Sequence, residues 1–167
     1  MRKNKIFLTT LKICQVNIEK SVTDVSHKMS ILQLPGNSNC MNWILGHIAV
    51  YRDVMLMSIG MDWCFRSNSR DLYAYGSDPI VGDGNCIQLE QILESINESF
   101  DILNRWLKGA SNEILSINTM KDISVFGPKG KSLEENFAHL ICHEAIHVGE
   151  LTPLRELALI SAGKGWK

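Results

Sequence analysis

The chain has no C-x-x-C pair, no block of like charge, and no apolar run long enough for a membrane-spanning helix. Each absence removes a class of function. Cys14, Cys40, Cys64, Cys86 and Cys142 are odd in number and widely dispersed. That pattern argues against a disulfide framework and against a cysteine-based zinc site, and it suits reduced thiols in the cytoplasm. Formal net charge is −1, with lysine and arginine scattered beyond the short start Arg2-Lys3-Asn4-Lys5. No overall field therefore recruits nucleic acid or an anionic membrane, and neither is expected as a partner. The opening "RKNKIFLTTLKIC" is basic, but Thr9, Thr10 and Lys12 break its apolar stretch and no small-residue cleavage site follows, so it does not read as a signal peptide.

What is present suits a single domain over residues 1–167, with 45% hydrophobic and 21% charged residues. Phe7, Leu11, Cys14, Ile18, Val22, Val25 and Met29 recur at steps of three and four, the spacing of one helix face, until Pro35 and Gly36 stop it. A second helix is expected over 39–60, with Trp43, Ile44, Ile48, Tyr51, Met55 and Ile59 apolar. A third is expected over 86–108, striped by Leu89, Leu93, Ile96, Phe100, Leu103 and Leu107; Asn85 with Gln88 resembles a capping box, and Gly109 suits its end. A fourth begins at the capping box Ser132 with Glu135. Pro153 should kink or restart it, with Thr152 capping a short last piece to about residue 162. The expected architecture is all-α: an antiparallel four-helix bundle with a long second crossover and a short C-terminal helix. That crossover, 62–87, holds Trp63, Phe65, Tyr73 and Tyr75 and reads either as a lid over a site or as a surface loop pinned by aromatics. The segment 122–132 reads as a brief extended piece and a turn.

Three of the five histidines fall within "HLICHEAIHVGE", residues 139–150, which contains the H-E-x-x-H pattern of zinc proteases. A helix turns about 100° per residue, so Asn136, His139, His143, His147 and Glu150 share one narrow stripe, while Phe137, Leu140, Ile141, Val148 and Leu151 cluster beside it. Imidazoles at i and i+4 can meet one metal ion, but a site needs a third ligand from elsewhere. His47 and His27 are the candidates. His47 interrupts an otherwise apolar stripe and reads either as a satisfied core histidine or as a ligand facing the pair. His27, beside Lys28 near the end of the first helix, reads as exposed. The protease patterns fail downstream. Only Glu150 and Glu156 follow His147, both too close to return on another helix, and the third histidine of the extended motif would fall on Pro153. Glu144 lies on the apolar side of its helix. It reads as a structural ion pair with Arg52 or Arg155, with general base as the minor alternative. Glu150 could orient a ligand imidazole, and His139 could do the same or pack as a core residue.

"NWILGHI" on the second helix, with "HLICHEAIHVGEL" on the fourth, resembles the DinB/YfiT-like superfamily of four-helix bundles. The resemblance spans nearly the whole chain. It implies a divalent metal, zinc or nickel, held by His47, His143 and His147, a cavity above it, and a homodimer. Glu150 departs from the family's common glutamine and adds negative charge beside the metal. Some proteins of this kind are S-transferases that use low-molecular-weight thiols, and others are called metal-dependent hydrolases. The resemblance therefore implies a metalloenzyme acting on a small-molecule substrate with a thiol cosubstrate. Hydrolysis, or a non-catalytic metal- or ligand-binding dimer, is the alternative.

Overall fold

The computed structural model describes residues 3–36, 38–65, 70–118 and 132–164. Among the described residues six α-helices form: α1 (Lys3–Val22), α2 (His27–Ser30), α3 (Met41–Ser58), α4 (Leu89–Gly109), α5 (Asn112–Leu115) and α6 (Leu133–Ser161). Four of them, α1, α3, α4 and α6, are long and pack together, and no strand occurs among the described residues. No helix there is long and apolar enough to cross a membrane. The segment expected as an extended piece over 122–132 lies, save for Ser132, outside the described residues.

Side-chain pairings fix the direction of each helix. Lys3 meets Glu134 and Arg155 donates to the carbonyls of Ser21 and Thr23, so α1 and α6 run the same way. Asn4 donates to the carbonyls of Leu107 and Ala110, both at 3.0 Å, so α1 starts where α4 ends. Asn42 bonds the carbonyl of Ile87 and Arg52 that of Ile96, so α3 and α4 run together. His47 meets His147 while Tyr51, one turn later, meets His143, so α3 opposes α6. The expected antiparallel arrangement is thus corrected to up-down-down-up. Two parallel neighbours need a crossover as long as the helix itself, which explains the length of the segment between α3 and α4.

Local chemistry sets the ends and corrects several expected boundaries. The first helix stops at Val22 rather than running on to Met29. Asp24 takes a left-handed φ of 62°, and Ser26 caps the separate turn α2 by accepting from the Met29 N–H. The apolar spacing carries across this break because α2 packs on the same core. The Asn85–Gln88 capping box does not form; Gln88 sits at the N-cap of α4 without a side-chain bond. At α6 the Ser132–Glu135 box does form, each residue bonding the other's backbone N–H. The piece expected as a separate short C-terminal helix is instead the end of α6, which continues through Pro153 to Ser161. Proline removes the N–H that would reach Gly149, but Gly149, Thr152 and Pro153 lie on the exposed side, where water can serve that carbonyl. Leu151, Leu154 and Ala158 stay in the core and hold the helix on course.

Helix α3 is the axis of the core. It is buried on nearly every side, between α4, α6 and the crossover. Its polar residues Asn42, His47, Arg52 and Asp53 are therefore buried too, and each needs a partner.

Candidate metal centre

Each of those four buried groups is met by a specific partner, and together these partners assemble the site. Arg52, fully buried, forks onto Glu144: Nε donates to Oε2 at 3.1 Å and Nη2 to Oε1 at 2.7 Å. Its remaining group Nη1 donates to Gln15 Oε1 and to the Ile96 carbonyl. All four long helices meet at this guanidinium. Both oxygens of Glu144 are thereby engaged by Arg52. Arg155, the other partner considered for Glu144, serves α1 instead.

Asp53 fastens the start of the crossover. Its carboxylate accepts from the N–H groups of Cys64 and Phe65 and from Arg70 Nη1 at 2.6 Å. Burial raises its pKa, opposed by these bonds and by the Arg70 charge. Arg70 also lies over the Trp63 ring, 4.2 Å from its centroid. Tyr73, wholly buried, then seats the middle of the crossover on α3. Its hydroxyl donates to Asn42 Oδ1 and accepts from the Ile87 N–H at 2.8 Å. Its ring lies against Gly46, where a Cβ would come 2.1 Å from Cδ1. Only glycine leaves room for it. Of the two readings of this segment, its described part fits the loop pinned by aromatics.

Seating Tyr73 delivers its carbonyl to His47. His47 Nδ1 donates to that oxygen at 2.6 Å, so the ring hydrogen is on Nδ1 and the lone pair on Nε2. Trp43 stacks on the other face of the ring, with centroids 4.6 Å apart and planes at 17°. On α6, His147 Nδ1 lies 2.8 Å from Glu150 Oε2 and donates to it, which again frees Nε2. The Nε2 atoms of His47 and His147 approach His143 Nε2 at 3.4 and 3.1 Å. The three ligand nitrogens all lie within 4.8 Å of one another. His47 is buried, and His143 and His147 are half-buried. His47 and His143 are pushed down to about 4, chiefly by burial; the neighbouring imidazoles lower both further, against the Tyr73 bond that raises His47.

The group fits a divalent cation. A tetrahedral ion with bonds of about 2.0–2.1 Å to nitrogen spaces its ligand atoms about 3.3–3.4 Å apart, close to the 3.4 and 3.1 Å at which His47 and His147 approach His143. Two of the three lone pairs are fixed inward by oxygen acceptors on the opposite ring nitrogen, the usual support of a metal-bound histidine. A single proton can bridge only one pair of these nitrogens, whereas a cation can accept all three lone pairs.

No family model and no curated protein matches the chain. Among solved structures it is similar to a conserved protein from Enterococcus faecalis. That match has a TM-score of 0.67 at 13% identity, covering 95% of this chain and 98% of the other. At such identity the likeness is one of fold.

The structure brings His47, His143 and His147 together and leaves His27 out. His27 accepts the Leu89 N–H at the start of α4 and is half-buried rather than exposed. His139 is exposed one turn before His143, near enough to depress its proton affinity. The orienting contact expected from Glu150 is present. The matching contact to His47 comes from the Tyr73 carbonyl, which the sequence reading missed because a backbone oxygen leaves no residue signature. Its one trace in the sequence was Gly46, a glycine inside a buried helix, next to the histidine and facing a crossover rich in aromatics. Tyr51 was also missed as a neighbour of the site. It is buried one turn after His47, with its ring centroid 4.5 Å from His47 and 4.6 Å from His143. Burial pushes its phenol up to about 12, with Tyr75 adding to the rise.

Proposed function

We propose that this protein is a metal-dependent enzyme of the DinB/YfiT-like kind, in which His47, His143 and His147 hold zinc or nickel and a low-molecular-weight thiol is transferred to an electrophilic small molecule. The convergence of three Nε2 atoms, two of them backed by oxygen acceptors, carries the reading. A divalent ion with three imidazole ligands keeps a position for a small ligand and lowers the proton affinity of a thiol or water there. The chain's own residues hold that geometry. The Tyr73 carbonyl and Glu150 each accept from Nδ1 and turn Nε2 of His47 and His147 inward, and Trp43 with Tyr51 packs an apolar surround about His47.

Thiol transfer is favoured over hydrolysis by the position of Glu144. Hydrolysis of this kind draws on a positioned base to take a proton from water, and the one candidate has both oxygens committed to Arg52. A thiol, more acidic than water, needs no such base. The same reading takes the chain as one domain, a cytoplasmic homodimer without nucleic-acid or membrane partners, supported by the resemblance, the near-neutral charge and the dispersed cysteines. Metal analysis of protein purified without a histidine tag should find close to one equivalent per chain, lost on His47→Ala. A panel of low-molecular-weight thiols with electrophiles should show turnover that disappears with the metal. Less than about a tenth of an equivalent under supplementation would refute the metal site. Metal-dependent hydrolysis without thiol dependence would favour the second reading.

A further inference from the structure

A second pair of reactive side chains lies outside the metal centre and is independent of its function. His27, on α2, and Cys86, just before α4, are 59 residues apart in the chain, with Nε2 and Sγ 3.7 Å apart. The other ring nitrogen decides what this contact does. The Leu89 N–H, at the first residue of α4, donates to His27 Nδ1 at 3.1 Å. With that lone pair engaged, the neutral ring carries its hydrogen on Nε2, and the N–H faces the sulfur. A donor at that point stabilises thiolate over thiol, and the N-terminal end of the 21-residue helix α4 adds to it, against the Gly82 carbonyl, 4.0 Å from Sγ, which accepts from the protonated thiol.

Access separates Cys86 from most of the other thiols. Cys14, Cys40 and Cys64 are buried, and burial raises the pKa of Cys14 and of Cys40. Cys86 is half-buried, and Cys142 is exposed on α6. Cys86 also adjoins Ile87, whose N–H holds the Tyr73 hydroxyl.

We propose that Cys86, with His27 as its hydrogen-bond donor, is a thiol modification site that exchanges with low-molecular-weight disulfides. The Cys86 thiolate attacks one sulfur of R–S–S–R and forms a new S–S bond to it. The original S–S bond breaks, and the leaving R–S⁻ takes its electron pair and then a proton from water. Cys86 is oxidised to the mixed disulfide, and one half of the reagent is reduced to thiol.

The test uses the full chain and glutathione disulfide, with peptide mass mapping of mixed disulfides over time at Cys86 and Cys142. Each thiol is compared in the folded chain and in the urea-unfolded chain, where both are ordinary. A larger thiolate fraction is partly offset by the lower nucleophilicity of a stabilised thiolate, so folding should speed Cys86 about three-fold relative to Cys142. His27→Ala should abolish that gain. A folded Cys86 no faster than its unfolded reference overturns the assignment, as does a gain that survives His27→Ala. If His27→Ala does not fold, the folded-to-unfolded ratio of the natural chain decides alone.

Discussion

Glu144→Gln separates a structural carboxylate from a catalytic one. In the natural chain Arg52 is fully buried, and each oxygen of Glu144 accepts one of its N–H groups. Glutamine keeps the size and one acceptor. Its amide nitrogen, however, must face a guanidinium donor, and the charge of Arg52 loses its counterpart. Gln15 and the Ile96 carbonyl still bond Nη1, but both are neutral. Removing one partner of a buried ion pair costs about 3–5 kcal/mol. For a chain of this length that corresponds to a fall in Tm of roughly 6–20 °C. Urea and thermal melts followed by helical circular dichroism would measure it. Metal content per folded molecule should be unchanged, because the histidines bond elsewhere. Replacing the pair together, Arg52→Met with Glu144→Leu, should recover much of the loss, since apolar pairs of similar volume often equal buried ion pairs. The reasoning is refuted if Glu144→Gln costs under about 1 kcal/mol while turnover collapses, the pattern of a general base.

Gly46→Ala should displace the Tyr73 ring, cost about 1–3 kcal/mol, and weaken metal binding as the Tyr73 carbonyl leaves His47; melting and competitive metal titration would show both. Glu150→Ala should leave the melting of the metal-free protein within about 0.5 kcal/mol of the natural chain yet weaken metal binding about 10- to 100-fold; an unchanged affinity would remove Glu150 from the support of His147. In the metal-free protein, His47 and His143 titrate near 4 when folded and near the ordinary value of about 6.5 when unfolded. Between these values the unfolded chain binds more protons, so urea stability should be full above about pH 6.5 and fall toward pH 4; a flat profile across that window would refute burial of these imidazoles.

Much of the fold could be read from the sequence because its signals are local and repetitive. The stripe of Leu89, Ile96, Leu103 and Leu107 needs only a period of 3.6 residues, and the Ser132–Glu135 cap closes within one turn. Helix direction is different in kind. It is fixed by contacts such as Asn4 with Leu107 and Arg52 with Ile96, which no local pattern encodes. The misread ends share that cause. The apolar spacing runs smoothly from Val22 through Val25 to Met29, yet the chain turns at Asp24, because α2 packs as its own piece on the same core. At Pro153 a local rule was outweighed by the burial of Leu151, Leu154 and Ala158.

The candidate site divides along the same line. Identity of the candidate ligands is local: His143 and His147 share a helix face by arithmetic, and His47 is the one histidine on a buried stripe. Orientation of ligands is tertiary. A bond at the opposite nitrogen fixes the direction of a histidine's lone pair, and for His47 that bond depends on Gly46 admitting Tyr73, with Asn42 and Ile87 holding its hydroxyl. The glutamate of H-E-x-x-H illustrates the converse. Its neighbours in sequence suggest a metal-site base, whereas its neighbours in space are Arg52, Gln15 and Ile96, a meeting point of all four long helices. Two residues adjacent in sequence, His143 and Glu144, thus face opposite tasks: one looks toward the imidazole cluster, the other anchors the packing that keeps α3 and α6 in register. A shift of that packing would move His47 relative to His143 and His147, so the ion pair bears on the site through geometry.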